Sequence, residues 1–257
     1  MMKKIVFFDI DGTILDHDKK IPDSTREAIK SLQENGVYVA IATGRAPFMF
    51  DYIREELDID TYVSFNGQYV VFENEVIVRN PLHTEELGRL HEAAEKSGHS
   101  LVFMNEKTMK ASKNHSRFIK ESLSSLNFPH PEGDPDFYKV HEIYQTLLFC
   151  EVQDEMFYHQ NHSIFKYIRW HELAVDVLPK GASKAEGIKS LMDRIGFKLE
   201  DVYAFGDGLN DIEMLGAVGH GVAMGNAIEE VKRHAAHVTS DVAEDGIYKG
   251  LKKLKLL

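Results

Sequence analysis

Along the first part of the chain, short unbroken apolar runs alternate with stretches in which apolar residues recur every three or four positions. Ile5–Ile10 is the first run, β-branched and aromatic. Asp23-Ser24-Thr25 supplies capping residues ahead of the amphipathic stretch Arg26–Glu34, and Asn35-Gly36 stops it. Val37–Ala42 is a second run, ending at Thr43-Gly44-Arg45. A helix follows over about Phe48–Leu57, and a third run lies at Tyr62–Phe65. Strands that are apolar throughout are buried on both faces. This β-α-β-α-β order therefore predicts a parallel sheet with helices on each side.

The middle of the chain has a different pattern. Asn66-Gly67 stands between Tyr62–Phe65 and Tyr69–Phe72, the signature of a tight hairpin. Helices are predicted at Thr84–Lys96, closed by Ser97-Gly98, and near Ser116–Leu126. Phe128–Asp136 carries three prolines and a glycine and reads as a loop. Strands are predicted at Thr146–Val152, Ile164–Trp170 and Ala174–Leu178, giving an α+β unit with an antiparallel sheet and helices on one face. The basic, aromatic stretch Phe165–Trp170 alternates like an exposed strand, a surface first and substrate-facing second.

The last part returns to the opening style. Ser183–Ile195 is a helix closed by Gly196, Val202–Phe205 a strand ending at Gly206-Asp207-Gly208, Ile212–Gly216 the start of a helix, and His220–Met224 a strand. The predicted fold is a doubly wound, Rossmann-like α/β core over residues 1–81 and 181–257, interrupted by an α+β domain over 82–180. Both crossings, Asn80-Pro81 and Pro179-Lys180-Gly181, carry proline, which suits stiff hinges.

Composition and charge narrow the function. The chain has 257 residues, 43% hydrophobic and 28% charged, as in ordinary globular proteins. No apolar run approaches the roughly 18 residues that cross a bilayer. Asp9 breaks the first run too early for a signal-peptide core, so the expectation is a cytoplasmic protein without a membrane partner. A net charge of −11 argues against a nucleic-acid surface but permits a small phosphorylated partner, because a metal and a few lysines reverse the sign locally. The lone Cys150 lies in Leu147–Cys150 and reads as a buried thiol. Oligomeric state is left open, with monomer or weak dimer both compatible.

Three strand ends carry unusual residues: Asp9-Ile10-Asp11-Gly12-Thr13, Thr43-Gly44-Arg45 and Asp207-Gly208-Leu209-Asn210-Asp211. Ligands of open parallel sheets bind outside the carboxyl ends of the strands, so these clusters should meet. They would gather four carboxylates, a costly arrangement without a cation among them. Hard oxygen donors favour Mg2+ over zinc or copper, and the 13 histidines show no metal-binding spacing. Calcium loops are excluded: the sixth and twelfth positions hold Ile14 and Lys20 counting from Asp9, and Ile212 and Val218 counting from Asp207.

These clusters resemble the motifs of the haloacid dehalogenase superfamily. Asp9–Thr13 is similar to its first motif, Thr43-Gly44-Arg45 to its second, Lys184 to its third and Gly206–Asp211 to its fourth, in the right order and at strand ends. The large insert, the Lys180-Gly181-Ala182-Ser183-Lys184 approach and Gly225-Asn226-Ala227 resemble the Cof-type phosphatases, with a type C2 cap.

The resemblance implies a Mg2+-dependent hydrolase of small phosphate esters such as sugar phosphates, FMN or PLP. Asp9 would be nucleophile and metal ligand. Asp11 would be general acid and base, with a place in the metal set, and Asp207 a further ligand. Ile10, Thr43, Gly44, Lys184 and Asn210 would bind phosphate, Ile10 through its backbone. Asp211 is a ligand or an orienting acceptor, and Arg45 an assistant or a helix-start residue. Lys180 competes with Lys184 locally. Thr13 caps the turn or contributes to the site. Asn66 and Gly67 are a hairpin turn or a substrate contact, and Asn226 a turn or a support. The same site would serve a phosphomutase or phosphotransferase, and the fold without turnover a metabolite-sensing regulator.

Overall fold

The computed structural model describes residues 4–257. The chain divides into two compact units. One holds the chain up to Arg45, Met49–Val78 and Ser183–Leu257; the other holds Ala46–Phe48 and Arg79–Ala182.

The first unit opens with β1 (Ile5–Phe8), α1 (Asp23–Glu34), β2 (Tyr38–Ala42), α2 (Asp51–Leu57), β3 (Thr61–Ser64), β4 (Tyr69–Phe72) and β5 (Glu75–Arg79). The second unit carries α3 (Thr84–Lys96), β6 (Ser100–Met104), β7 (Met109–Ala111), α4 (Arg117–Ser124), α5 (Phe137–Val140), β8 (Gln145–Phe149), α6 (Val152–Asn161), β9 (Phe165–His171) and β10 (Ala174–Pro179). The chain then returns to the first unit with α7 (Lys184–Ile195), β11 (Val202–Gly206), α8 (Ile212–Ala217), β12 (His220–Ala223), α9 (Glu229–His234), β13 (His237–Val238) and α10 (Gly246–Lys253).

The first sheet runs β13-β12-β11-β1-β2-β3-β4-β5. Neighbours from β13 through β3 are parallel, and β4 turns back antiparallel on β3. β1 is flanked by β2, its successor, and by β11 from the far end of the chain, so the order reverses there. Phe8 lies level with Phe205 and with Ile41, which brings the carboxyl ends of the three strands to one height. Ile5, Phe7, Ala40, Ala42, Val202 and Ala204 pack with Ile188 and Leu191 of α7 and Met214 and Leu215 of α8. α1 buries Thr25, Ala28, Ile29 and Leu32, a stripe at helical spacing. Among the described residues no helix is long and apolar enough to cross a membrane.

The second sheet runs β7-β6-β8-β10-β9 and is antiparallel throughout. Leu101, Phe103, Leu148, Val175 and Val177 meet Leu87, Leu90 and Ala94 of α3 in its core. Cys150 is buried there and free.

Several local expectations are corrected. β3 and β4 do pair as the expected hairpin, but Ser64 lies opposite Tyr69, so the link is the four residues Phe65–Gln68, one more than the expected strand bounds leave. Phe65, Asn66 and Gly67 are all left-handed, at φ 50°, 51° and 95°. The N–H groups of Phe65 and Asn66 donate to the carbonyls of Arg45 and Thr43, and these tertiary bonds override the local turn preference. The helix expected from Phe48 begins at Asp51, after a single 3-10 turn at Pro47–Met49. The strand expected over Thr146–Val152 ends at Phe149, and Val152 opens α6. That helix buries only Tyr158 and leaves Val152, Met156 and Phe157 exposed, so it has no apolar stripe to read. The strands β5, β6, β7 and β13 and the helices α5, α9 and α10 were not anticipated.

Candidate active site

β1 ends at Phe8, and the next N–H, that of Asp9, donates to the carbonyl of Phe205 at 2.9 Å. Asp9 thereby sits between β11 and β2 at the reversal of strand order. Ile10 is fully buried, its carbonyl accepting the N–H groups of Thr13 and Leu15. Asp11 reaches the surface edge of the turn. Gly12 has φ 79°, and a Cβ there would fall 2.2 Å from Asp207 Oδ2, so only glycine lets the two loops touch. Thr13 Oγ1 donates to Asp207 Oδ1 at 3.0 Å, and Asn226 Nδ2 donates to the Gly12 carbonyl at 2.8 Å and to Asp207 Oδ2 at 3.3 Å. Thr13 and Asn226 thus fix the orientation of the Asp207 carboxylate.

Lys184, the first residue of α7, is 0% exposed. Ser183 caps that helix by accepting the Glu186 N–H. The ammonium donates to Asp9 Oδ1 and to Asp211 Oδ1, each at 2.6 Å. Asp211 is also fully buried, and its Oδ2 accepts the N–H groups of Asp207 and Gly208 at 3.0 and 2.9 Å. A buried ion triad of this kind holds together only with its remaining lone pairs satisfied, and Asp211 meets that condition. Lys180, by contrast, is exposed.

Burial, together with the charges of Asp211 and Asp207, raises the Asp9 carboxyl to about 7 against the pull of Lys184. Burial, opposed by the Thr13 hydroxyl, and the Asp211 charge bring Asp207 to about 6. Lys184 is itself held above its usual value: burial opposes its charge, but Asp211 and Asp9 outweigh it.

One oxygen each from Asp9, Asp207 and Asp211 lies within 4.8 Å of the others. Such an all-carboxylate set fits a hard divalent cation. The Asp11 carboxylate is outside that group. Arg45 Nε donates to its Oδ2 at 2.9 Å and Arg45 Nη2 to its Oδ1 at 2.7 Å, while Lys19 Nζ donates to Oδ1 at 2.7 Å. Burial alone would raise Asp11, but Arg45 and Lys19 prevail and hold it below the usual carboxylate value.

Thr43 is buried, and its hydroxyl accepts the Arg45 N–H at 3.1 Å, closing the strand-to-helix turn. The Asn66 amide packs against Gly44, where a Cβ would stand 3.0 Å from Nδ2. Gly67 fills a packing position: a Cβ there would lie 2.3 Å from the Ser183 carbonyl. Asn210 is exposed, and a Cβ at Gly208 would fall 2.5 Å from its Oδ1. Lys19 is the site residue that sequence reasoning missed. It lies in a loop where Asp16 Oδ1 accepts the N–H groups of Asp18 and Lys20, and its own φ is 60°. An aspartate before two polar residues signals such a turn but says nothing of where the lysine points.

Comparison with known proteins gives the family. The family model for haloacid dehalogenase-like hydrolases matches residues 6–251. The chain is 51% identical to the Bacillus subtilis (strain 168) protein named "Putative phosphatase YkrA" over 257 residues, covering 100% of each. Among solved structures, the phosphatase BT1666 from Bacteroides thetaiotaomicron matches with a TM-score of 0.91 at 29% identity, over 100% of this chain and 96% of that one. The subclass IIB sugar phosphatase BT4131 matches with a TM-score of 0.85 at 32% identity, over 99% of this chain and 100% of that one. The chain belongs to the haloacid dehalogenase-like hydrolase family, as a phosphatase of the Cof type with a separate cap domain.

Proposed function

We propose that the protein hydrolyses small phosphate monoesters through an aspartyl-phosphate on Asp9, with residues 82–180 as the inserted cap that sets specificity. The observation that carries this reading is the meeting of Asp9, Lys184 and Asp207 at the reversal of the parallel sheet, a nucleophile beside a buried cation and a second carboxylate. Asp9 and Asp207 would hold Mg2+, with Asp211 committed mainly to Lys184 and the Asp207 loop. The cation would neutralise charge on the phosphoryl oxygens and keep Asp9 ionised.

In the first step an Asp9 oxygen bonds to phosphorus as the ester P–O bond breaks. The electron pair leaves with the alcohol oxygen, which takes a proton from Asp11; Asp11 has to be protonated for this step, so the bound substrate would draw it away from Arg45 and Lys19, whose charges otherwise keep it ionised. In the second step water attacks phosphorus, its proton passes to Asp11, and the bond to Asp9 breaks, releasing inorganic phosphate and the free carboxylate. Thr43, the Gly44 N–H, Asn210 and Lys184 would bind the phosphoryl oxygens. The substrates are soluble phosphorylated metabolites, in keeping with a cytoplasmic enzyme.

Phosphate release from an aryl phosphate tests the proposal. Activity should require Mg2+ and vanish with EDTA. Asp9→Asn should abolish it, and Asp11→Asn should reduce it by about 10² or more. Full turnover by purified Asp9→Asn would sink the mechanism.

A further inference from the structure

α6 gives the core of the second unit a single buried residue, Tyr158. Its acidic side chains are already committed within the same unit. Glu155 accepts from Arg169 Nε at 2.7 Å and meets His159 Nε2 at 3.0 Å, and Asp154 lies 3.4 Å from His99 Nε2. At 100° per residue, Val152, Gln153, Met156, Phe157 and Gln160 fall on one side of the helix, an arc of about 140°. All of them are exposed and none is ionisable. Val152 and Met156 are each 61% exposed and Phe157 46%. A helix facing water ordinarily carries charge there, as α3 does with Glu85, Arg89, Glu92, Glu95 and Lys96. Methionine and an aromatic ring without charges around them are instead the composition of an interface centre.

This face matches itself. Gln153 and Gln160 stand equally far on either side of the Met156-Phe157 pair. A second copy turned end over end sets its Gln160 against Gln153 and its Phe157 beside Met156. Gln153 Nε2 donates to Glu151, which leaves Oε1 for the Gln160 amide of the partner. The ends of the helix agree in charge as well. Glu151 at the N-cap and Asp154 and Glu155 in the first turn make one end acidic, and His159 and His162 stand at the other. Antiparallel helices place the acidic end of each beside the histidine end of the other and oppose the two macrodipoles. A parallel pair would set the carboxylates of one copy against those of the other. Two chains of net charge −11 repel, and a face without charge is where that repulsion is least.

We infer that α6 is the contact of a homodimer, in which two copies of this chain pack their α6 helices antiparallel about a two-fold axis beside Met156 and Phe157. A helix of 10 residues is about 15 Å long. Such a pair buries well under the roughly 800 Å² per partner of a standard complex, so the dimer is weak, with a Kd of about 0.1 mM. The dimer stands or falls independently of phosphatase activity.

Sedimentation equilibrium of the full chain from about 0.01 to 1 mM tests it. The weight-average mass should climb from 29.3 kDa toward twice that value. Met156→Glu brings two carboxylates together beside the axis and should weaken the dimer by about thirtyfold or more. Gln153→Glu combined with Gln160→Lys sets opposite charges together twice across an antiparallel pair. It should tighten the dimer about threefold to tenfold at low salt, with the gain fading at high salt. These side chains are exposed, so each variant should keep the Tm of the parent within about 2 °C. A mass that stays at 29.3 kDa at every concentration overturns the inference and leaves the face to another partner or to solvent. Association that survives Met156→Glu unchanged puts the contact elsewhere and overturns it too. Weaker association of the doubly charged chain excludes the antiparallel pairing. If Met156→Glu lowers Tm, the doubly charged chain still decides.

Discussion

Asp11 shows at the residue scale how unequal two similar ion pairs are. Arg45 grips both carboxylate oxygens and is 21% exposed, whereas Lys19 makes one contact and is 53% exposed. A planar fork loses little freedom in such a pair, while an exposed ammonium is worth little. Arg45→Met should therefore lower kcat/KM on an aryl phosphate by about tenfold to a hundredfold, and Lys19→Met by no more than about threefold. Equal losses in steady-state assays would place Lys19 on a par with Arg45. Asp9 and Asp207 were legible in the sequence because each stands directly after an apolar strand, with Asp11 and Asp211 in the turns that follow. Their partners were not: nothing local distinguishes Lys19 from Lys20, or tells Asp11 that its carboxylate will meet a guanidinium rather than join Asp9 and Asp207.

At the scale of elements, α7 is the part that delivers the lysine. Its first residue is Lys184, its cap is Ser183, and the Ser183 carbonyl leaves no room for a side chain at Gly67. Gly67→Ala imposes both a left-handed φ of 95° and that clash, so it should cost about 2–4 kcal/mol and move Lys184 away from Asp9. The readouts are a lower urea midpoint and a fall in kcat larger than any change in KM. Ser183→Ala removes only the cap and should cost about 1 kcal/mol with activity largely kept. β1, β2, β3 and β11 are apolar throughout, and α1 and α7 carry a clean stripe and caps, so each announces itself locally. The left-handed link at Phe65–Gly67 is set by hydrogen bonds to Thr43 and Arg45, far away in sequence, and α6 exposes the apolar residues that ordinarily mark a buried face.

For the whole molecule, pH bears on the aspartate cluster of the first unit and on Asp176 of the second. Asp9 and Asp176 at about 7 and Asp207 at about 6 all lie above the ordinary value of 3.8. An acid raised in the folded state binds more protons folded than unfolded. It contributes stability that is present below about pH 4 and lost as pH rises through 6–7. Asp11 is lowered and Lys184 raised from 10.5, so neither changes its contribution between pH 5 and 8. His91, His162 and His237 are lowered, mainly by burial, and favour the fold more as pH passes 6.5, opposing the three acids. The informative quantity is therefore the difference between variant and parent. Relative to the parent, Asp176→Asn should gain stability from pH 5 to 8, by a few kcal/mol at most, with its response to Mg2+ unchanged. Asp207→Asn should gain likewise but lose the Mg2+ response. In the parent, Mg2+ should raise Tm more at pH 8 than at pH 5, because ligands must be ionised to bind it. Denaturation curves at the two pH values, with Mg2+ and with EDTA, separate these contributions. A Mg2+ effect as large at pH 5 as at pH 8 would place the ion away from Asp9 and Asp207.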